Sequence, residues 1–266
     1  MPSTAVWEND HWTVVVPPVP LTLGHLAIIA KTQTRDVDVA GAASMVDAYR
    51  RVRSALCHVG GYRAFQLAFA DAWEPDEDAI GEPGPIDHEP RVIHVFGRGS
   101  AADAVSAVRL MARPRRNRES ATVDAARVTA LTAALAFAEG VEVDGPPDHE
   151  CDGCSSDVLT RQERWRHDGV RVIRPKNVLI DAQVIVLPVR HVVSFGDLTG
   201  AEVASLFARL VEVRDQFSQS SGVSGLSCFA NDGVAAHQET PHVHLHVFGR
   251  SRHESVNPFV LLGRGG

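Results

Sequence analysis

Three histidines alternate with apolar residues in His242-Val243-His244-Leu245-His246-Val247-Phe248. Strict alternation predicts a strand, and residues two apart in a strand share a face. Successive imidazoles would stand roughly 6–7 Å apart on that face, with Val243, Leu245 and Val247 turned to the core. Two kinds of chemistry suit such a row. One is a metal site, since imidazole is a common zinc ligand. The other is nucleophilic and acid–base catalysis by an imidazole that is neutral near pH 7. A second candidate cluster is Cys151-Asp152-Gly153-Cys154. In a reducing compartment this spacing reads as metal ligands or a redox pair rather than a structural disulfide. Cys57 and Cys228 fall inside apolar patterns and are expected to be buried and inert.

The elements that must position these residues occur twice. His94-Val95-Phe96-Gly97-Arg98 recurs as His246-Val247-Phe248-Gly249-Arg250, and an internal repeat governs the reading of the whole fold. In the first half, strands are predicted at Trp12 to Val16 and Leu26 to Ala30. A helix follows from about Ala42 to Val59, stopped by Gly60-Gly61, then strands at Ala64 to Ala70 and Arg91 to Phe96. In the second half, strands are predicted at Val170 to Ile173 and Val184 to Leu187. A helix starts near Thr199 with Glu202 three residues on as a capping box, and strands follow at Gly225 to Ala230 and His242 to Phe248. Two helical stretches, Ala101 to Ala112 and Val123 to Glu139, lie between the halves, separated by the basic run Arg113 to Arg118, read as a solvated linker. The acidic stretch Glu74 to Glu89 is read as a mobile loop.

The 266 residues suit two domains or one large one. A net charge of −7 speaks against a nucleic-acid backbone binder, without excluding small phosphate ligands at a locally positive site. No apolar run is long enough to span a membrane. The first ten residues lack the basic-then-apolar pattern of a signal peptide, so a cytoplasmic location is the expectation.

The histidine run sits in a wider context. Gln238 lies four residues before His242; Asn231-Asp232-Gly233 lies upstream of Gln238; and Pro188-Val189-Arg190-His191 closes a predicted strand. Together these resemble the signature of the histidine-triad (HIT) family: Gln before His-φ-His-φ-His-φ (φ hydrophobic), an Asn-x-Gly loop, and a Pro-Lys-x-His strand end with Val189 in place of Lys. The resemblance covers nearly all of Cys151 to Arg250. It implies an α+β, HIT-like fold of antiparallel sheet and helices. With the degenerate first half it implies a duplicated, intramolecular pseudo-dimer, divided as a degenerate domain at 1–100, a helical linker at 101–149 and a catalytic domain at 150–266.

The resemblance also implies roles. His244 is the nucleophile that attacks an α-phosphorus and becomes a nucleotidyl-histidine, and His246 contacts the phosphate or leaving group. Gln238 and Asn231 hold non-bridging oxygens. Cys151, Cys154, His191 and His242 form a Cys2His2 set for a structural zinc. Two departures stand out. The family's fourth histidine is replaced by Gln183, which can hydrogen-bond but cannot shuttle a proton near neutral pH. The usual ribose ligand position is Pro175, with Asn177 nearby. The first half keeps Gly24-His25 but has Val92 where the nucleophile would stand, so it is read as catalytically dead. The expected function is a hydrolase acting on nucleoside phosphoramidates, dinucleoside polyphosphates or nucleotide conjugates. A nucleotidyltransferase or phosphorylase of the same superfamily and a nucleotide-binding protein with little turnover are the alternatives. The expected partner is the nucleotide substrate, with no nucleic acid and no membrane, and the chain is expected as a monomeric pseudo-dimer or a homodimer.

Overall fold

The computed structural model describes residues 3–32, 37–73, 79–84, 86, 91–100, 105–137, 151–155, 160–252, 254 and 256–263. Gly145-Pro146-Pro147 and most of the 74–90 stretch lie outside them.

Among the described residues ten strands form one antiparallel sheet. In chain order they are β1 (Thr4–Glu8), β2 (Trp12–Val16), β3 (His25–Ala30), β4 (Ala64–Asp71), β5 (Val92–Arg98), β6 (Glu163–His167), β7 (Val170–Ile173), β8 (Gln183–Pro188), β9 (Gly225–Asp232) and β10 (Leu245–Arg250). Their spatial order is β1-β2-β3-β5-β4-β9-β10-β8-β7-β6. Each run of five has the same internal order, read outward from the central β4–β9 pair. That pair aligns Phe65 with Asp232 and Asp71 with Leu226, so the halves meet about a local two-fold axis near Ala68 and Phe229. The outermost strands, β1 and β6, were not foreseen. Both pair only at an edge, with register shifts at Ala5/Trp7 and Glu163/Trp165, and β6 is mostly exposed, which blunts the apolar alternation that reveals a strand.

Two matched helices cover one face. Helix α1 (Val39–Gly60) starts at the Asp38 cap, which accepts from Gly41 N, and ends at Gly61 with φ 66°. Of the next two helices, α2 (Ala107–Met111) and α3 (Ala125–Ala136) lie between the halves. Helix α4 (Gly200–Ser221) starts at the full Thr199/Glu202 capping box and ends at Gly222 with φ 63°. Both helices stop at left-handed glycines, the backbone state that glycine adopts without steric cost. The main core joins α1 and α4 to one sheet face through Leu67, Phe69, Cys228, Ala230, Leu245 and Val247. The opposite face carries a smaller core: Ala68, Phe96, Phe229 and Phe248 packed under α2 and α5 (Pro258–Leu262) through Val108, Met111 and Phe259. Alternation along the strands thus puts the repeated histidines on the face away from the long helices.

Two surface expectations change. Residues 79–84 are not a loose loop: Glu82 is buried, accepts from Ser227 Oγ at 2.7 Å and lies 3.8 Å from Arg250. Arg113 to Arg118 is not simply solvated either. Arg115 donates to Glu82 O and Arg118 to Gly81 O, at 3.0 and 2.7 Å. The carbonyls of a loop need donors when they are covered, and this basic run supplies them. Cys228 is buried as expected, whereas Cys57 is partly exposed.

Candidate active site and metal centre

The three histidines do not all lie in the ladder, because β10 begins only at Leu245. Pro241 cannot donate to a ladder. Val243 N donates instead to Val192 O at 2.6 Å, outside the sheet. The row is thereby divided into two sets of contacts.

His242 turns to the cysteines. Its Nε2 lies 2.9 Å from Pro188 O. A carbonyl only accepts, so Nε2 carries the proton and Nδ1 presents its lone pair. That Nδ1 lies 3.4 Å from Cys151 Sγ and 3.5 Å from Cys154 Sγ, and His191 Nδ1 lies 3.4 Å from Cys154 Sγ. All four donor atoms fall within 4.8 Å of one another. Ligands around a tetrahedral zinc stand about 3.3–3.8 Å apart, from the usual Zn–N and Zn–S lengths. The donor set, its spacing and the backbone-held tautomer of His242 fit such an ion. Gly153 makes the approach possible, since a Cβ there would meet the His242 ring at 2.7 Å. Burial and the neighbouring Cys154 push the Cys151 thiol up to about 11, and burial takes His242 down to about 4. A cation among them would favour the thiolates.

His244 and His246 form the second set, with ring centroids 5.0 Å apart. His244 Nδ1 lies 2.8 Å from His242 O, so it bears the proton and Nε2 is left as a lone pair. Burial holds the His244 pKa below its ordinary value. Burial, then the charge of His244, takes His246 to about 3. Both rings are therefore neutral at pH 7. Among the described residues His246 Nδ1 meets no hydrogen-bond partner, and its ring stacks on Phe248 with centroids 6.2 Å apart.

The surrounding residues are arranged less simply than the motif implies. Gln238 is buried; its Oε1 accepts from Gly233 N at 2.6 Å and its Nε2 donates to Val193 O at 2.8 Å. It stitches the Asn-Asp-Gly loop to the segment that follows β8. Asn231 Oδ1 accepts from Gln66 Nε2 at 3.0 Å, and Gln66 belongs to the first half. Gln183 is buried in β8, and its Oε1 accepts from Leu179 N at 2.6 Å. In the first half His25 Nδ1 accepts from Leu21 N at 3.0 Å, also four residues back. Gln183 thus keeps the loop-holding bond of the missing histidine. Asn177 lies exposed in the bend before Leu179.

Sequence reasoning missed the support behind this site. Tyr49 Oη and Ser194 Oγ both donate to buried Asp232, and Arg53 donates to Ser194 Oγ. The segment around Ser194 supplies Val192 O and Val193 O to the triad segment and to Gln238. Helix α1 of the first half therefore fastens the loop that orients the second half. The only sequence signal was Asp232 within Asn-Asp-Gly; its partners lie far along the chain.

The first half shows the same face closed. His25 Nε2 lies 3.0 Å from His94 Nδ1, Val92 is buried where the nucleophile would stand, and Ile86 packs against Val15, Ala27, Ile29 and Val92.

Comparison with known proteins agrees with the triad. Residues 165–253 match the HIT domain family. A stretch of 74 residues is 32% identical to the asymmetrical bis(5'-nucleosyl)-tetraphosphatase of Schizosaccharomyces pombe, covering 28% of this chain and 41% of that protein. Another of 72 residues is 36% identical to the bifunctional bis(5'-adenosyl)-triphosphatase/adenylylsulfatase FHIT of Arabidopsis thaliana, covering 27% of this chain and 40% of that protein. The chain spans about two fifths of the length of these relatives. At the level of fold, 99% of the chain superposes on 80% of an ADP-glucose phosphorylase from Arabidopsis thaliana, with TM-score 0.56 and 12% identity. The segment that matches the HIT-domain family, residues 165–253, is the one that carries the histidine triad.

Proposed function

We propose that this chain is a nucleotide hydrolase that cleaves at the α-phosphate of a nucleoside phosphoramidate, dinucleoside polyphosphate or nucleotide-conjugated metabolite. The observation that carries the reading is the bond from His244 Nδ1 to His242 O, which leaves Nε2 as a neutral nucleophile aimed from a fixed ring. Nε2 forms a P–N bond as the bond from the α-phosphorus to the leaving group breaks. The leaving group departs with the electron pair and takes up a proton from solvent, and the water of the second step returns one. Water then attacks phosphorus, the P–N bond breaks, and the nucleoside monophosphate and neutral His244 are released. This is covalent catalysis in two displacements. Asn231 and the remaining amide proton of Gln238 serve non-bridging oxygens, where preorganised donors are most effective. His246 faces the phosphate or leaving group.

Cys151, Cys154, His191 and His242 would hold zinc, whose contribution is structural. It would tie the start of the domain to the segment that carries His244. We take 1–100, 101–149 and 150–266 as the degenerate domain, the linker and the catalytic domain. The β4–β9 junction then replaces a dimer interface, and the chain should act as a monomer. A nucleotidyltransferase or phosphorylase is the second reading, favoured by Gln183, whose amide cannot relay a proton to water. The test is turnover of a panel of adenylyl phosphoramidate, diadenosine polyphosphates and ADP-sugars. Release of AMP by wild type and its loss by several orders of magnitude in His244→Ala supports the hydrolase. Turnover only when phosphate is added as acceptor favours the second reading, and equal rates in both proteins contradict a role for His244.

A further inference from the structure

A cavity of about 280 Å³ opens on the histidine face beside the junction of the two halves. The second half contributes Leu179, Phe229, Asn231 and His237 to its wall; the first half contributes Gln66 and Arg98, and α2 adds Val108. The cavity adjoins the catalytic pair. His246 lies opposite Phe229 across the β9–β10 ladder, and Leu179 is bonded to Gln183. None of the described residues that line it is acidic, and Arg98 brings its positive charge.

The two halves treat their corresponding residues differently. Arg98 and Arg250 end the two repeats of Val-Phe-Gly-Arg. Arg250 is buried, bonded by Glu254 through Nε and Nη2 at 2.8 and 2.7 Å, and set against Ser227 and Glu82. Arg98 stands at the equivalent strand end on the other side of the axis and lines an open cavity. Gln66, opposite Asn231 in register, bonds the Asn231 side chain and thus joins the cavity to the phosphate loop.

We propose that this cavity is the binding site for the part of the substrate beyond the α-phosphate, and that the catalytically dead half supplies its specificity through Arg98 and Gln66. The chemistry is that of an anionic leaving group with an apolar or aromatic portion. Arg98 meets a phosphate oxygen, and Leu179, Phe229, Val108, Leu261 and Leu262 receive the apolar part. The assignment rests on the nucleotide reading above. It explains what a half without a nucleophile does for the reaction.

Calorimetric binding to His244→Ala, which cannot turn substrate over, tests it with two probes, AMP and diadenosine triphosphate. The readout is the ratio of their dissociation constants. The triphosphate should bind tighter by about tenfold or more, the usual scale of one charge-assisted contact. Arg98→Gln, and independently Leu262→Trp, which fills the cavity from a partly exposed position, should each remove most of that advantage. Equal affinity for the two probes, or an advantage that survives both substitutions, overturns the assignment while leaving the nucleotide reading intact. Failure of both probes to bind overturns the nucleotide reading and this assignment with it.

Discussion

Gly153 sits between the two cysteines with the His242 ring where its Cβ would be, at 2.7 Å. A methyl group there pushes the ring from the cysteine sulfurs, so Gly153→Ala should lower zinc content and affinity. Metal analysis of protein purified without chelator checks this: stoichiometric zinc in the variant would contradict the site. The candidate site residues were the most legible part of the sequence, because histidine and cysteine are scarce and a shared ligand would constrain their spacing. The use of each was less legible. By spacing alone His242 reads as one of three equivalent imidazoles; the family resemblance set it with the cysteines, and its contacts are indeed with thiols and with Pro188 O. Gln238 reads as a phosphate ligand, yet most of its amide is engaged with backbone. Only the course of the chain before β10, where Pro241 precedes the ladder, separates these roles.

At the scale of elements, the matched helices and inner strands follow from periodicity and caps: the Thr199/Glu202 box starts one helix and Gly60-Gly61 stops the other where the sequence places those ends. The edge strands β1 and β6 did not, since neither shows clean alternation. The side-chain bonds from α1 to the Ser194 loop and to Asp232 were also out of reach, because Arg53 and Ser194 are 141 positions apart and Tyr49 and Asp232 are 183 apart. They give a test of the element contact. Tyr49→Phe removes a donor to a buried carboxylate and should cost about 1–3 kcal/mol. Arg53→Met, which leaves Asp232 without the guanidinium 3.8 Å away, should cost about 3–5 kcal/mol. Urea unfolding of the three proteins measures both; stabilities equal to wild type would show that α1 merely lies against the loop.

Over the whole molecule, one continuous sheet makes the halves a single structural unit, and the repeat of Val-Phe-Gly-Arg marks the duplication that underlies it. What the repeat did not announce is how the first half is sealed. His25 and His94 are buried there against each other, and burial lowers both pKa values, that of His94 to about 3 from 6.5. Since the native state resists protonation, the unfolded chain binds more protons below pH 6.5. Stability is therefore fully present above that pH and is lost as pH falls toward 3. His94 alone should account for about 2 kcal/mol at pH 5. Denaturant unfolding at pH 7 and at about pH 5 should show this loss, and His94→Gln should reduce it; a loss that is identical in the variant would place the acid sensitivity elsewhere.

The claim on which the rest depends is that His244 becomes covalently nucleotidylated. Intact-protein mass spectrometry after a rapid quench at neutral to basic pH, where P–N bonds survive, tests it directly. Wild type exposed to diadenosine triphosphate or adenosine phosphoramidate should gain the mass of one adenylyl group, located by peptide mapping to His244 and absent from His244→Ala. An adduct at another residue, or one that forms equally in His244→Ala, would contradict the account.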